Sequence, residues 1–455
     1  MPIWANRIQQ QSAVFFKQID SKVNQNLEPE AIWPGLEEGV PKPIMPYSPA
    51  VKAGGWVFIA GQLASDFKTG LPPEVRPKKS DSETGLELQT RFIFSNIAKT
   101  IEATGCDLRT DTVKIWEWYV SNHPNKSEFA EGNNWHGIDI GPYIKAREEF
   151  FNKPSPPRSG SGISELMWQD TELELEVICF NDDNESVTFD LPEDIESPNG
   201  GQAAALRRGD WVFLGNESSA DRRGENLSLE QQTNYVLEKL SKTAEIAGSS
   251  LQQTVKAEVF IGNPNDFEKM DQVWRQWFPN QAPARVVVPR VGMETEGSRI
   301  EVALTLLAND AMLTKSTIET SEAPMPLGHE PQAVKVGNFL FLSTQMAFDS
   351  HGKIADGMIR NPAAPWYGSP GKAQMRYMMH NINAICETAG TSVENIVRRA
   401  CFHSHLQWFA ESIEEWASYF PTDKPASTTI GLNNSLVVDG ANTLLDLIAY
   451  VPDSA

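Results

Sequence analysis

AVKAGGWVFIAGQ (Ala50–Gln62), ALRRGDWVFLGNE (Ala205–Glu217) and AVKVGNFLFLSTQ (Ala333–Gln345) are three versions of one sentence. Each runs a short apolar–polar alternation into a Gly-bearing turn and then into an apolar run rich in aromatic and β-branched residues. That is the pattern of a buried strand entered from a tight turn. Reading outward, each stretch is followed by an amphipathic segment: QTRFIFSNIAKTIEATG, QQTNYVLEKLSKTAEIAG and QMRYMMHNINAICETAG. Apolar residues recur there at three-and-four spacing over four turns, and each segment stops at a glycine (Gly105, Gly248, Gly390). This predicts a helix with a glycine C-terminus. The three glycines lie 143 and 142 residues apart, so the register is nearly constant.

The correspondence continues. CDLRTDTVKIWEWYV, SSLQQTVKAEVFI and TSVENIVRRACFHSHL each read as a polar turn followed by a strand. A second helix is expected to end at Phe150–Phe151, Trp277–Phe278 and Tyr419–Phe420, before a Pro-rich turn. TELELEVICF, SRIEVALTLL and NTLLDLIAYV close the units as strands. Similarity across four consecutive elements makes the chain a tandem triplication. Each unit is an α+β module, a mixed sheet backed by two helices, of ordinary domain size. The expected divisions are an N-terminal extension over 1–40, with a helix-like stretch from Ile8 to Val23, and modules over 41–195, 196–320 and 321–455. The stretches 184–200 and 308–328 read as polar, Pro-punctuated linkers.

Composition narrows the functional classes. A net charge of −21 argues against a nucleic-acid backbone as partner, because phosphate binding requires a basic patch. The four cysteines are widely spaced without a CxxC pair, which reads as buried thiols in a reducing compartment. The first residues lack a signal-peptide run and no stretch approaches a membrane span, so a cytoplasmic protein is expected. His403 and His405 stand two apart in CFHSHL and read as one strand face; a metal site would need a third ligand at metal spacing, and the sequence offers none.

Specific residues then point to a family. Pro46, Tyr47 and Ser48 lead into AVKAGG, and Gly61 and Gln62 follow the strand. PPRSG carries Arg158 before Glu174 in LELEV, and APARVVV carries Arg285 before Glu301 in RIEV, both at a separation of 16 residues. Asn133 falls four residues after Phe129. This set resembles the Rid (reactive intermediate deaminase, or YjgF) family. The resemblance implies a chorismate-mutase-like α+β fold and a trimer with clefts between neighbouring units, here formed within one chain as a pseudo-trimer. It also implies hydrolysis of enamines or imines to ketones and ammonia, with no cofactor and no metal. On that reading Arg158 and Arg285 anchor a substrate carboxylate, Glu174 or Glu301 orients a water and moves its proton, and Tyr47, Gly61 and Asn133 shape the pocket. The third copy departs from the pattern: Ser427 stands at the Arg position, Glu330 at the Tyr position and Ile413 at the Asn position, with Asp446 in an open register. In the second copy these last two positions hold Gln202 and Asp271.

Two functions follow as expectations. One is a hydrolase acting on the C–N bond of a small carboxylated or cyclic substrate. The other is a non-catalytic small-molecule-binding or scaffold protein of the same fold. Either would be a monomeric pseudo-trimer or a homodimer. An Arg behind Pro-Pro also has a structural reading, as a strand residue paired with an acid.

Overall fold

A computed structural model of the chain describes residues 28–34, 46–66, 69–77, 83–120, 139–191, 201–222, 225–290, 292, 297–364 and 366–453. The first module contains β1 (Glu30–Ile32), β2 (Ala50–Ala53), β3 (Trp56–Leu63), α1 (Gly85–Ala103), β4 (Thr112–Val120), α2 (Gly141–Arg147), β5 (Arg158–Ile163) and β6 (Leu173–Phe180). The second contains β7 (Ser186–Phe189), β8 (Ala205–Arg208), β9 (Trp211–Glu217), α3 (Leu229–Ile246), β10 (Thr254–Ile261), α4 (Phe267–Trp277), β11 (Ala284–Pro289) and β12 (Ile300–Leu307). The third contains β13 (Lys315–Ile318), β14 (Ala333–Val336), β15 (Phe339–Leu342), α5 (Pro370–Ala389), β16 (Ile396–His403), α6 (Phe409–Ala417), β17 (Ala426–Gly431) and β18 (Thr443–Tyr450). The three six-stranded sheets have one topology, β1-β2-β3-β6-β4-β5 in the first. Only the β4–β5 pair and its counterparts are parallel; the other pairings are antiparallel.

The quoted stretches form two-residue hairpins. Ala53 pairs with Trp56, Arg208 with Trp211 and Val336 with Phe339, and Gly54, Gly209 and Gly337 take positive φ in the turns. At Gly54 a side chain would also strike the Phe339 ring at 2.9 Å, so module three packs directly against this turn. A capping box at Ser228 and Gln231 starts α3, and Gly390 in the left-handed region ends α5.

The segments read as linkers are corrected by the structure. Each contains a short edge strand, β7 or β13, that pairs with the first hairpin strand of the following module. β1 does the same for module one from within the N-terminal extension. These strands are half-exposed and polar, which is why they read as linkers. The helix-like stretch Ile8–Val23 lies outside the described residues.

One face of each sheet packs on its own helices, and the opposite faces meet in a shared centre. Trp56 lies 4.8 Å from Trp211 and 4.9 Å from Phe339, ring centre to ring centre, so an aromatic from each module meets the others there. A ring of buried cross-module ion pairs surrounds this contact. Lys114 meets Glu258 at 2.9 Å, Lys256 meets Asp446 at 2.6 Å, and Arg398 binds Glu176. Glu176 and Asp446 occupy equivalent positions on β6 and β18, whereas β12 has Ala303 there. The missing acid comes from Glu258, Ala303's partner across the β10–β12 pair. The register of Asp446 is thereby fixed: it matches Glu176, and Leu444 matches Glu174.

Candidate functional site

Because the sheets close into a ring, each seam joins the last parallel strand of one module to the hairpin strand of the next: β5 to β9, β11 to β15, β17 to β3. Each cleft therefore takes its Arg position from one module and its Tyr, Gly and Glu positions from the following one. Arg158 and Glu174, 16 residues apart in sequence, line different seams, as do Arg285 and Glu301.

At the seam of modules one and two, Arg158 is buried and donates from Nη1 to Glu117 Oε2 at 3.0 Å. Glu117 also accepts the hydroxyls of Tyr119 and Tyr143, and Arg147 stands 3.8 Å away. Glu301, across the seam, is held by Arg290 at 2.6 Å and by the amide of Asn216. Both sequence-derived candidates are thus engaged with partners from their own modules. Asn133 lies outside the described residues.

At the seam of modules two and three, Arg285 stacks over Trp274 at 4.9 Å and donates to Asp271 at 2.6 Å and to Glu330. The chain of module three drapes across the guanidinium at Gly328, where a Cβ would sit 2.3 Å from Arg285 Nη2. Asp271 is also held by Arg275 at 2.9 Å, whereas Arg285 is the cation that reaches Glu330. Burial pushes Glu330 up, whereas for Asp271 the same burial is outweighed by Arg285 and its carboxyl lies below the usual range. The remaining slot is about 10 Å³, and Leu444 stands at the Glu position.

The seam of modules three and one differs. Tyr47, Gly61, Glu174 and Trp168 of module one and Arg399, Phe409, Ile413, Ser427 and Thr429 of module three enclose a cavity of about 50 Å³. The Arg absent at Ser427 is supplied by Arg399, its partner across the parallel β16–β17 pair. Its guanidinium stacks over Trp416 at 4.9 Å, as Arg285 stacks over Trp274. Arg399 is fully buried, and Nη1 reaches Thr429 Oγ1 at 3.4 Å. Nε and Nη2 have no hydrogen-bond partner, and among the described residues no carboxylate pairs with it. Burial accordingly pushes Arg399 below the ordinary arginine range.

Glu174 faces the same cavity, buried, with Oε2 unpartnered. Burial first, and the charge of Glu176 second, push its carboxyl well above the usual range, partly offset by the Thr429 N–H. Glycine at position 61 makes room for it, since a Cβ there would lie 2.0 Å from Glu174 Oε1; Asn216 and Thr344 fill the equivalent positions elsewhere. The Tyr47 hydroxyl is raised by burial and then by Glu174. The arrangement brings a buried guanidinium, a carboxyl pushed towards its neutral form and a phenol into one cavity.

The family model described as Endoribonuclease L-PSP matches residues 38–180, 197–307 and 320–435. The chain belongs to this family, the Rid family, three times over. A RutC family protein of Pyrococcus abyssi is 34% identical over 119 residues, covering 26% of this chain and 84% of its own length. A protein of Dermatophagoides farinae named 2-iminobutanoate/2-iminopropanoate deaminase is 28% identical over 139 residues, covering 30% of this chain and 88% of its own. The crystal structure of RidA from the Antarctic bacterium Psychrobacter sp. PAMC 21119 matches 30% of this chain and 99% of its own at 30% identity, with a TM-score of 0.25.

Residue-by-residue reading of the Rid pattern missed Arg399. The available signal was the doubled basic pair in VRRACF, where the other copies read VKIWEW and VKAEVF. The histidines also sit differently from the expectation. His403 ends β16, buried, between Cys401 Sγ at 3.3 Å and Thr443 Oγ1 at 3.1 Å, and burial and then Arg399 lower it to about 3. His405 lies beyond the strand, and its Nδ1 accepts the Gln407 N–H at 3.1 Å. Cys106, Cys179, Cys386 and Cys401 are buried free thiols. Among the described residues no group of three metal-ligating side chains assembles, and no helix is long and apolar enough to cross a membrane.

Proposed function

We propose that this protein hydrolyses the C–N bond of a small 2-imino or enamine carboxylic acid, in the cleft between its third and first modules. The observation that carries the reading is Arg399: a fully buried guanidinium with two nitrogens unpartnered among the described residues, beside a Glu174 whose carboxyl burial pushes towards its neutral form. A substrate carboxylate supplies the missing counter-charge by bidentate hydrogen bonding. Water adds to the imine carbon, which is already electrophilic. Glu174 gives its proton to the imine nitrogen as the C–O bond forms and takes one back from the added water, leaving a neutral carbinolamine. A second turn of the same relay moves the remaining hydroxyl proton to nitrogen as the C–N bond breaks, releasing ketone and ammonia with Glu174 protonated again. Tyr47 donates a hydrogen bond within the same space. The relative named 2-iminobutanoate/2-iminopropanoate deaminase supports the same reaction class.

The test is ammonia release from a 2-imino acid generated in situ by an amino-acid oxidase, wild type against Arg399→Met. Turnover in the wild type and its loss in the variant is the expected result. Carboxylate binding without turnover in the wild type favours a binding protein of the same fold. Full turnover in Arg399→Met removes the proposed cleft from the reaction.

A further inference from the structure

We infer a second ligand site, on the outer mouth of the seam between modules two and three, that takes a neutral polyhydroxylated small molecule such as a sugar or cyclitol. Behind this mouth, Glu330 and Arg285 fill the space where a substrate acid would lie. In front of it the two modules diverge into an open cleft of about 710 Å³, and Val437 is shared between the residual slot and the cleft.

The lining defines the ligand class. Module two contributes Asn263 and Asn265, and module three contributes Gln407, Asn433 and Asn434, with serines between them. A side-chain amide donates and accepts at once, as a sugar hydroxyl does, so a row of amides matches a row of hydroxyls. Among the described residues no Lys or Arg lines the cleft, and its one carboxylate, Asp439, is exposed. An anion would find no counter-charge there. Trp408 is half-buried in the wall and provides the flat apolar surface on which a sugar ring packs its C–H face.

Three features show that the wall is held in place. Asn434 N–H bonds to Ser404 O at 2.9 Å, and Asn433 takes a left-handed φ of 49°, which fixes the turn that presents both amides. Asn263 accepts the Asn265 N–H at 2.9 Å, ordering the opposite rim. His405 accepts the Gln407 N–H through Nδ1, which places the proton of the neutral ring on Nε2 as a donor.

Saturation-transfer NMR on the full chain tests the site, with D-glucose, maltose and myo-inositol as probes at about 10 mM, the range in which weak small ligands are read. The charged counterparts are gluconate and glucosamine, and the peptide control is trialanine. Transfer to at least one neutral probe is expected, with gluconate clearly weaker. Asn434→Ala and Asn265→Ala should each weaken binding about tenfold, the factor that one lost hydrogen bond of about 1.4 kcal/mol carries. Trp408→Leu should abolish transfer to the C–H protons of the ring, and circular dichroism of each variant should match the wild type. No transfer to any neutral probe overturns the inference. So does gluconate matching glucose, trialanine binding in their place, or binding indifferent to all three folded variants.

Discussion

The clefts at the second and third seams each hold a guanidinium 4.9 Å over a helix tryptophan, yet the groups around the two differ. In the second, Asp271 and Glu330 consume the charge of Arg285. In the third, no acid among the described residues pairs with Arg399, and the nearby Glu174 is pushed towards its neutral form. The difference lies in the counter-ions. A buried arginine with internal acids is a structural ion pair, and the proposed function rests on an arginine without them.

Replacing each arginine by methionine puts this contrast under the greatest strain. Arg399→Met should lower kcat/KM for an imino acid by about 10²–10³-fold, in line with the 2–5 kcal/mol that truncating one side of a buried charge pair costs. Arg285→Met should leave turnover nearly intact but destabilise the chain by about 3–5 kcal/mol, because Glu330 remains buried without its cation and Asp271 keeps only the half-exposed Arg275. Denaturant unfolding and steady-state kinetics read the two effects separately. The reverse pattern would exchange the roles assigned to the two seams.

A smaller effect is expected at Glu174. Glu174→Gln keeps the shape and removes the transferable proton, so kcat should fall about 10²-fold with KM little changed. The wild-type rate should decline as pH rises through the raised carboxyl pKa, since the protonated form is the active one. Moving the arginine home is gentler still. The double variant Arg399→Ile, Ser427→Arg restores the strand position used by modules one and two and should recover at least about a tenth of wild-type kcat/KM, given how closely cross-strand neighbours approach.

The smallest effect is on stability. The folded pKa of Glu174 lies above its unfolded value, so its contribution to stability is fully present below about pH 4.3 and is lost as pH rises towards the folded pKa. Glu174→Gln should therefore melt about 1–3 °C above the wild type at neutral pH and should not differ at pH 4. Differential scanning calorimetry at the two pH values reads this directly.

The fold was legible because burial repeats: the hairpin and long-helix patterns recur three times, and their residues line the four cores. The edge strands β7 and β13 were not, since four half-exposed residues beside prolines carry no apolar period. Tyr47, Gly61 and Glu174 line one cavity, whereas the motif order of a single copy pairs them with an arginine of that same copy. Sequence order pairs Arg158 with Glu174, whereas ring closure pairs module one's acid with module three's cation. Arg399 escaped for a second reason. A functional group needs a place in space, and cross-strand neighbours reach the same place from different columns of a repeat. The central ring of ion pairs made the same exchange, where Glu258 replaces an acid missing at Ala303.

The third seam also joins the two extremes of the described chain. Ser164 bonds to Leu432 across 268 residues, and the pocket takes its acid from one end of the ring and its cation from the other. A ribosome delivers modules in order, so the first two can dock while the third is still being made. The pocket has no walls until that third module has emerged and come round to meet the first. A product terminated before residue 399 lacks the cation altogether, and on the proposed reading the onset of turnover during synthesis would report that the circle has closed.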